Sequence, residues 1–292
     1  MSKLIQQLTI IGVGLIGGSL ARALKQAEVC GEIVGCGRNE AELKRAVELG
    51  VIDRYSLGQA DAVRGADMVL LAVPLGAMRA VMASIAPAIG ENTILTDVGS
   101  AKGSVVDDAK AVFGEMPCKL VPAHPIAGTE KSGVEASFAT LFQGRKVILT
   151  PLENGDEAAL KTVAAMWGHA GADVVEMSVE HHDRVLAATS HLPHVLAYAL
   201  VDSLARMDET GEVFQYAAGG FRDFTRIASS DAQMWHDICL ANRHQVLNVL
   251  GHFREDLDAL TSAFESADGD AILKCFSRAK RARDHFSKIM AE

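Results

Sequence analysis

A glycine-rich segment near the amino terminus has the spacing of a dinucleotide-binding loop. The pattern GxGxxG follows an apolar run and opens a predicted helix. Its first glycine permits a tight turn, its second lets a pyrophosphate approach the backbone, and its third lets helix and strand pack closely. The unpaired N–H groups at the start of the helix favour a phosphate. The alternative is a tight turn without a ligand. The residues predicted to contact the cofactor here are Gly12, Gly14, Leu15, Ile16 and Gly17.

The end of the second predicted strand bears on the choice between NAD and NADP. An NAD site usually places an acid about 20 residues beyond the loop, where it binds the ribose 2′-hydroxyl. Here that position is Gly37, and Arg38 follows it. A missing carboxylate removes repulsion of a 2′-phosphate, and a guanidinium can pair with that phosphate. The pattern favours NADP. The alternative is a solvated Arg38, with Glu40 or Glu42 binding the ribose of NAD.

Polar clusters follow three further predicted strands, where ligands of open α/β sheets bind. Val73 and Pro74 end the third strand and are candidates for cofactor contact, residues 97–103 begin at the end of the fourth, and residues 124–130 follow the fifth. His124 is predicted to lie in a loop. An imidazole titrates near neutrality, so it could take a hydroxyl proton from an alcohol as hydride leaves. The alternative is a histidine that only caps the loop.

Five other side chains allow both a functional and a structural interpretation. Lys102 could contact a cofactor phosphate or be solvated. His181 and His182 are interpreted as the solvated start of a helix rather than as part of a site. The spacing of His191 and His194 could suit a metal ion, but no third ligand is evident, so a metal site is disfavoured.

Composition excludes several classes of protein. The chain has 292 residues, enough for about two domains, and a net charge of −9 with no basic tail, which disfavours nucleic-acid binding. Apolar residues make up 49% of the chain, but no apolar run is long enough to span a membrane. The amino terminus lacks signal-peptide features, and the five cysteines form no CxxC pair. We therefore expect a cytoplasmic protein with free thiols.

The order of elements predicts a doubly wound α/β sheet followed by an all-helical region. Strands alternate with helices in the first part of the chain, and near-continuous apolar strands suit a parallel sheet buried on both faces. The predicted strands are residues 8–12, 32–37, 67–74, 93–97, 119–123 and 146–150, and the first predicted helices are 15–25 and 40–49. After residue 178 apolar residues recur at helical spacing. We place the domain boundary between residues 175 and 176.

Five motifs together resemble the prephenate and arogenate dehydrogenases of tyrosine biosynthesis. They are GVGLIGGSL (12–20), DVGSAKG (97–103), HPIAGTEKSG (124–133), SHLPH (190–194) and GGFRDFTRIA (219–228). The resemblance extends from residue 8 to about residue 255. It implies a Rossmann-type dinucleotide-binding domain over residues 1–175 and a helical substrate-binding and dimerisation domain over residues 176–292.

The resemblance also implies a reaction and roles for four side chains. The substrate is a cyclohexadiene with a carboxylate at C1 and a hydroxyl at C4, and it loses carbon dioxide as hydride passes to NADP or NAD. His124 would take the hydroxyl proton, and Ser100 would lie between His124 and the nicotinamide, orienting both. His194 matches a second active-site histidine from the helical domain. Arg226 matches an arginine that clamps a substrate carboxylate.

Three further residues are candidates for substrate contact. Ser190 lies four residues before His194, on the same helix face. Thr129 and Glu130 lie in the same motif as the predicted base. An acid such as Glu130 would favour the amine of arogenate over the keto group of prephenate, and we expect prephenate oxidation with arogenate left open. Pro193 should interrupt its helix, because it lacks a backbone N–H.

Two other functions and one assembly are compatible with the sequence. A β-hydroxyacid dehydrogenase would share this domain plan but usually relies on a lysine in the helical domain, and no suitable motif is evident. A non-catalytic NADP-binding sensor would not need the polar clusters. The resemblance implies a homodimer formed through the helical domain, and apolar residues in 241–250 and 259–264 could form its interface; the alternative is a monomer with a thicker core. Trp235 is interpreted as a core or interface residue.

Overall fold

The chain folds into nine strands and thirteen helices over the residues described by this computed structural model, which are 3–117, 119–129, 131–207 and 212–289. The strands are β1 (Ile5–Ile11), β2 (Cys30–Cys36), β3 (Arg54–Ser56), β4 (Met68–Leu71), β5 (Ile94–Asp97), β6 (Leu120–Val121), β7 (Ala123–Pro125), β8 (Lys146–Leu149) and β9 (Asp173–Glu176). The helices are α1 (Leu15–Gln26), α2 (Glu40–Glu48), α3 (Gln59–Ala62), α4 (Met78–Ile85), α5 (Lys102–Phe113), α6 (Glu157–His169), α7 (Val179–Leu186), α8 (Leu192–Met207), α9 (Glu212–Gln215), α10 (Gly219–Thr225), α11 (Ala232–Ala241), α12 (Arg243–Glu265) and α13 (Gly269–Ile289).

Six strands form a parallel sheet in the order β3-β2-β1-β4-β5-β6. Ile11, at the end of β1, pairs with Cys36 on one side and with Leu71 on the other. The strand order reverses between β1 and β4, and ligands of such sheets bind at this switch point. The predicted doubly wound α/β fold is thereby confirmed, with the glycine loop at the end of β1.

Strand β4 shows why the apolar runs were near-continuous. Met68 and Leu70 pack into the core on one face of the sheet, whereas Val69 and Leu71 pack into the core on the other face. Successive side chains of a strand point to opposite faces, so a strand covered on both faces needs apolar residues at every position. Helices on both faces supply that cover.

A second, smaller sheet has the order β7-β8-β9 and corrects one prediction. His124 does not lie in a loop: it lies in β7 and pairs with Ile148 of the antiparallel strand β8. The predicted strand 119–123 is divided, because β6 belongs to the large sheet and β7 to the small one. Pro122 stands between them, and proline cannot donate to a strand ladder.

The helical part begins with a local departure from α-helical geometry. Residues Ala187–His191 form a π-helical turn between α7 and α8, in which the N–H of Leu192 reaches the carbonyl oxygen of Ala187. Pro193 follows and supplies no N–H, so the interruption expected there takes the form of this turn. Such turns are frequent at functional sites.

The chain divides into two compact units, Met1–Arg243 and His244–Glu292. The last strand of the described residues, β9, ends at Glu176, whereas the two compact units divide the chain after Arg243. The domain boundary between residues 175 and 176 therefore stays a prediction. The cysteines that the structure describes, Cys30, Cys36, Cys239 and Cys275, are free thiols. Within the described ranges, no helix has the length and apolar character needed to cross a bilayer.

Candidate active site

The glycine loop has room for a phosphate and no room for larger side chains. Gly12 has φ +100°, and a Cβ there would stand 2.3 Å from the carbonyl oxygen of Ala72. A Cβ on Gly17 would stand 2.4 Å from the carbonyl oxygen of Gly12. Gly14 borders open space and caps α1 without any side-chain hydrogen bond to the helix. The free N–H groups and the open space fit the pyrophosphate of a dinucleotide.

Arg38 lies exposed just beyond the end of β2, and both alternative acids have partners within the chain. Among the described residues, no ion pair or hydrogen bond engages Arg38. Glu40 accepts a 2.8 Å hydrogen bond from the Tyr55 hydroxyl, and Glu42 accepts one of 3.1 Å from the Asn39 side chain. The guanidinium is therefore available to an anionic ligand, whereas both carboxylates have partners within the chain.

Lys102 contradicts the interpretation as a solvated residue. It is fully buried, and its Nζ contacts the buried carboxylate of Asp97 and donates to the carbonyl oxygen of Ala123 at 2.6 Å. The same carboxylate accepts the backbone N–H groups of Gly99 at 2.7 Å and Ala123 at 3.2 Å. With its ammonium group engaged inside the protein, Lys102 is not free for a phosphate. It instead ties the end of β5 to β7, next to His124.

His124, His182 and Asp183 form a buried chain of hydrogen bonds. His124 Nδ1 lies 2.9 Å from His182 Nε2, and His182 Nδ1 lies 2.8 Å from Asp183 Oδ1. The Asp183 carboxylate also accepts the backbone N–H groups of Lys102 and Gly103, each at 2.8 Å. His182 is fully buried, so its interpretation as a solvated helix start was wrong.

Burial keeps both imidazoles in their neutral form. It lowers the pKa of His124 well below its usual value, and the charges of His182, Lys102 and His191 lower it further. Burial also lowers the pKa of His182, against the opposing effect of Asp183. For Asp183, burial raises the pKa, but hydrogen bonds from His182 and two backbone N–H groups outweigh it, and the carboxylate stays ionised. A neutral His124 can accept a proton at neutral pH.

His191 lies between this chain of hydrogen bonds and the backbone of Ser100 without bonding to Ser100. The side-chain nitrogen of Asn242 lies 2.8 Å from the carbonyl oxygen of Asp183 and 3.2 Å from His191 Nδ1. Burial lowers the pKa of His191 to about 4, and the backbone of Ser100 partly opposes this. No hydrogen bond of normal geometry joins the two, and His191 Nε2 has no partner among the described residues.

His194 stacks on the ring of Trp235, beside the charge of Arg226. The two rings lie 3.4 Å apart with an angle of 17° between their planes. His194 Nδ1 donates to the carbonyl oxygen of Ser190 at 2.9 Å, because a carbonyl can only accept. Burial lowers the pKa of His194, and the charge of Arg226 lowers it further. Trp235 is buried, as a core residue should be, and its ring packs against His194.

The structure gives fewer contacts for the remaining residues that were predicted to bind substrate or cofactor. Thr129 is exposed, and its hydroxyl accepts the backbone N–H of Lys131 at 3.2 Å. Glu130 lies outside the described residues, so its predicted contact with substrate stays a prediction. Val73 borders the glycine loop, and Pro74 caps a short 3₁₀ turn. In the described part of the chain, no cluster of three His, Cys, Asp or Glu side chains could hold a metal ion.

Sequence reasoning predicted a role for His124 but did not predict the two groups that hold it. The only sequence signal for His182 and Asp183 is a pair of adjacent histidines followed by an acid. The same pattern also suits the solvated start of a helix. Hydrogen bonds join His124, His182 and Asp183, and the charges of His124 and His194 are each felt near His191, whereas the side chain of Ser100 has no hydrogen bond among the described residues. Such a chain could accept a proton from a small substrate.

Two family models match consecutive parts of the chain. The model described as "Prephenate dehydrogenase, nucleotide-binding domain" matches residues 20–176, and the one described as "Prephenate dehydrogenase, dimerization domain" matches residues 178–278. Together they cover most of the sequence.

Relatives and solved structures agree with these matches. A cyclohexadienyl dehydrogenase of Zymomonas mobilis is 42% identical over 283 residues, which are 95% of this chain and 95% of the relative. A prephenate dehydrogenase of Bacillus subtilis is 35% identical and covers 97% of this chain, over 77% of its own length. The crystal structure of prephenate dehydrogenase from A. aeolicus, in complex with hydroxyphenyl propionate and NAD+, is similar with a TM-score of 0.88 at 38% identity, covering 96% of this chain and 98% of that one.

Proposed function

The chain belongs to the prephenate dehydrogenase family, and from this premise we propose that it oxidises and decarboxylates prephenate in tyrosine biosynthesis. The observation that carries the proposal is the buried, neutral His124, held through the contact between Lys102 and Ala123 beside the loop that follows β5. Ligands of this kind of sheet bind beyond the ends of its strands. Purified protein should reduce a nicotinamide dinucleotide when prephenate is added, and absence of reduction with either dinucleotide would contradict the proposal.

His124 is the proposed catalytic base. A bound nicotinamide dinucleotide supplies the acceptor for the hydride that leaves C4. His124 takes the proton of the C4 hydroxyl, so that a carbonyl forms at C4 as hydride leaves, and loss of carbon dioxide from C1 then makes the ring aromatic. The A. aeolicus protein was solved with a hydroxyphenyl acid, a phenol that resembles such a product.

The other predicted site residues receive proposed roles around this base. Ser100, in the loop after β5, would orient His124 and the nicotinamide. His194 and Ser190 would contact the substrate from the start of α8, where the bond between them leaves Nε2 of the imidazole free. Thr129 would bind the substrate's polar groups from the segment that follows β7.

Arg226 is proposed to bind a substrate carboxylate. Its guanidinium is exposed beside His194 and has no partner among the described residues. Loss of a charge-assisted hydrogen-bonded pair costs about 1.5–3 kcal/mol, so Arg226→Ala should raise KM for prephenate by about 10- to 100-fold. Steady-state kinetics measure the effect.

The matched control is Arg222→Ala, which removes an equally exposed arginine that pairs with Asp223 at 3.6 Å. This variant should keep the KM of the unchanged protein. An unchanged KM in Arg226→Ala, or equal effects in the two variants, would remove Arg226 from the carboxylate site.

We also propose that NADP is preferred over NAD. Gly37 leaves no acid at the usual position, Glu40 and Glu42 have partners in the chain, and Arg38 is free among the described residues to pair with a 2′-phosphate. The A. aeolicus structure contains NAD+, so the preference has to be measured in this protein.

Arg38→Ala should lower kcat/KM for NADP by about tenfold, the scale of one charge-assisted contact, and leave the value for NAD unchanged. Arg45→Ala is the control, because Arg45 lies on α2 and pairs with Glu48 and Glu135. A preference of the unchanged protein for NAD, or equal losses with both dinucleotides in Arg38→Ala, would overturn the assignment.

Arogenate is a second candidate substrate. The relative from Z. mobilis has the broader name cyclohexadienyl dehydrogenase, which fits either ring acid. Glu130 would favour the amine of arogenate, and comparison of kcat/KM for the two substrates tests this. The family match argues against the two alternatives, a β-hydroxyacid dehydrogenase and a non-catalytic sensor.

We further propose a homodimer formed through the helical part of the chain. The family model over residues 178–278 is described as a dimerization domain. Among its described residues, the second compact unit exposes six large apolar side chains, which are Leu247, Leu257, Phe264, Leu273, Phe276 and Phe286. Burial of such a set against a second copy would be favourable. Light scattering should give twice the mass of one chain. A cytoplasmic location stays a prediction that cell fractionation would test.

A further inference from the structure

The hydrogen-bond chain behind His124 has only one direction in which its protons can be arranged. The ionised carboxylate of Asp183 can only accept, so His182 must carry its proton on Nδ1. A neutral His182 then has a lone pair on Nε2. His124 Nδ1 lies 2.9 Å from His182 Nε2, so Nδ1 must carry a proton and donate it to that lone pair. The remaining nitrogen of His124, Nε2, is therefore the one with a free lone pair.

We propose that His182 and Asp183 are positioning residues that hold His124 in the tautomer with Nε2 unprotonated, so that Nε2 accepts the hydroxyl proton of the substrate. This inference rests on the proposed function and assigns an atom and a supporting pair to its base. The pair would also orient the ring, since two hydrogen bonds in series leave His124 little freedom to rotate about its side-chain bonds.

The proton transfer balances within this arrangement. The O–H bond of the substrate breaks and an N–H bond forms at Nε2, which leaves His124 as an imidazolium with a proton on each nitrogen. The proton on Nδ1 stays in place and its hydrogen bond to His182 strengthens, because the donor is now charged. When carbon dioxide leaves C1, the electron pair of the broken C–C bond enters the ring and the C4 oxygen becomes a phenolate, which takes the proton back from Nε2 and leaves a phenol. No further reactant is needed.

His182 and Asp183 offset an electrostatic environment that is unfavourable for the imidazolium form of His124. Lys102 and His191 face His124 from α5 and from the π-helical turn, and both disfavour a positive charge there, as does burial. The carboxylates of Asp183 and Asp97 are the anionic groups nearby, and both favour a charge on His182. Through His182, the negative charge of Asp183 can therefore stabilise the imidazolium that forms on His124 during the reaction.

Asp183 is itself held by hydrogen bonds from two directions. Helix α5 begins after Ala101, which offers no side-chain cap, and the carboxylate from α7 accepts the first N–H groups of α5 instead. Asn242 donates to the backbone carbonyl of Asp183 from the end of α11. These bonds orient the carboxylate toward His182 independently of any ligand. The tautomer of His124 is therefore set before substrate binds.

Nitrogen-15 NMR of the protein labelled at histidine tests the tautomer without any need for activity. A protonated nitrogen and an unprotonated one differ widely in chemical shift, and the signals of His124 are identified by their loss in His124→Asn. We expect the Nδ1–H form in the unchanged protein and a mixture with the Nε2–H form in His182→Leu. An Nε2–H form in the unchanged protein would overturn the proposal, even if prephenate proved to be the wrong substrate.

Kinetics test whether the pair matters for the reaction. His182→Leu should lower kcat by about 10²-fold, the scale of a general base that is often in the wrong tautomer, with KM and dinucleotide binding unchanged. His182→Gln places an amide oxygen where it can accept the Nδ1 proton, and it should recover most of kcat. A purely structural role would not separate these two variants in kcat alone.

The control is His181→Leu, since His181 is the exposed neighbour whose imidazole has a hydrogen bond only with Arg184 among the described residues. It should keep full activity. Equal losses in His182→Leu and His182→Gln, or an unchanged kcat in His182→Leu, would show that His182 does not position the base. If the unchanged protein reduces no dinucleotide with prephenate, the proposed function fails, and the NMR result still decides the tautomer.

Discussion

Replacing His124 by asparagine is expected to lower kcat for prephenate oxidation by about 10²- to 10⁴-fold, the range for removal of a general base. Asparagine is smaller than histidine and polar, so the buried site keeps a partner for His182 but loses the group that takes the proton. Dinucleotide binding should be unchanged, because the glycine loop lies at the end of β1 and His124 lies in the second sheet. Steady-state kinetics and a dinucleotide titration measure the two effects separately.

His169→Asn is the matched control for this substitution. His169 is an exposed histidine at the end of α6, and the same exchange there should leave kcat unchanged. Full activity in His124→Asn would show that another group takes the proton. A loss of dinucleotide binding equal to the loss in kcat would show instead that the substitution disturbs the fold.

Replacing Lys102 by methionine should lower the free energy of unfolding by about 3–5 kcal/mol, the usual cost of removing one partner from a buried ion pair. The carboxylate of Asp97 would remain fully buried with only two backbone N–H donors, and the carbonyl oxygen of Ala123 would lose its partner. Urea denaturation followed by circular dichroism measures the change.

Two further variants test whether the loss of stability in Lys102→Met comes from the buried, unpaired charge of Asp97. Lys161→Met removes a lysine from an exposed pair with Glu157, and it should leave the stability unchanged, because exposed pairs contribute little. The double variant Asp97→Asn with Lys102→Met should be more stable than Lys102→Met alone, since no unpaired charge is then buried. A small loss in Lys102→Met, equal to that in Lys161→Met, would mean that water reaches Asp97.

Local sequence signals predicted the nucleotide-binding half of the fold well. The predicted helices 15–25 and 40–49 differ from α1 and α2 by one residue at their ends, because a glycine turn and an asparagine cap mark where they begin. The large sheet followed from buried apolar strands such as β4. Strands β3 and β9 were missed, since they are short and only partly buried, and their place depends on pairing with β2 and β8.

Signals for the site were weaker, because burial and pairing arise between segments that are distant in the chain. His181 and His182 are neighbours of the same type, yet one is exposed and the other is fully buried against His124, 58 residues away. Lys102 looked like a surface residue until its partners, Asp97 and the carbonyl of Ala123, were placed around it.

The amino-acid sequence by itself determined which chemical groups this protein has and the sheet that presents them, because glycine spacing and strand hydrophobicity act over a few residues. Only the tertiary structure decided which atoms of those groups are charged, paired or free. Their protonation depends on burial and on partners that the folded chain brings together from separate elements.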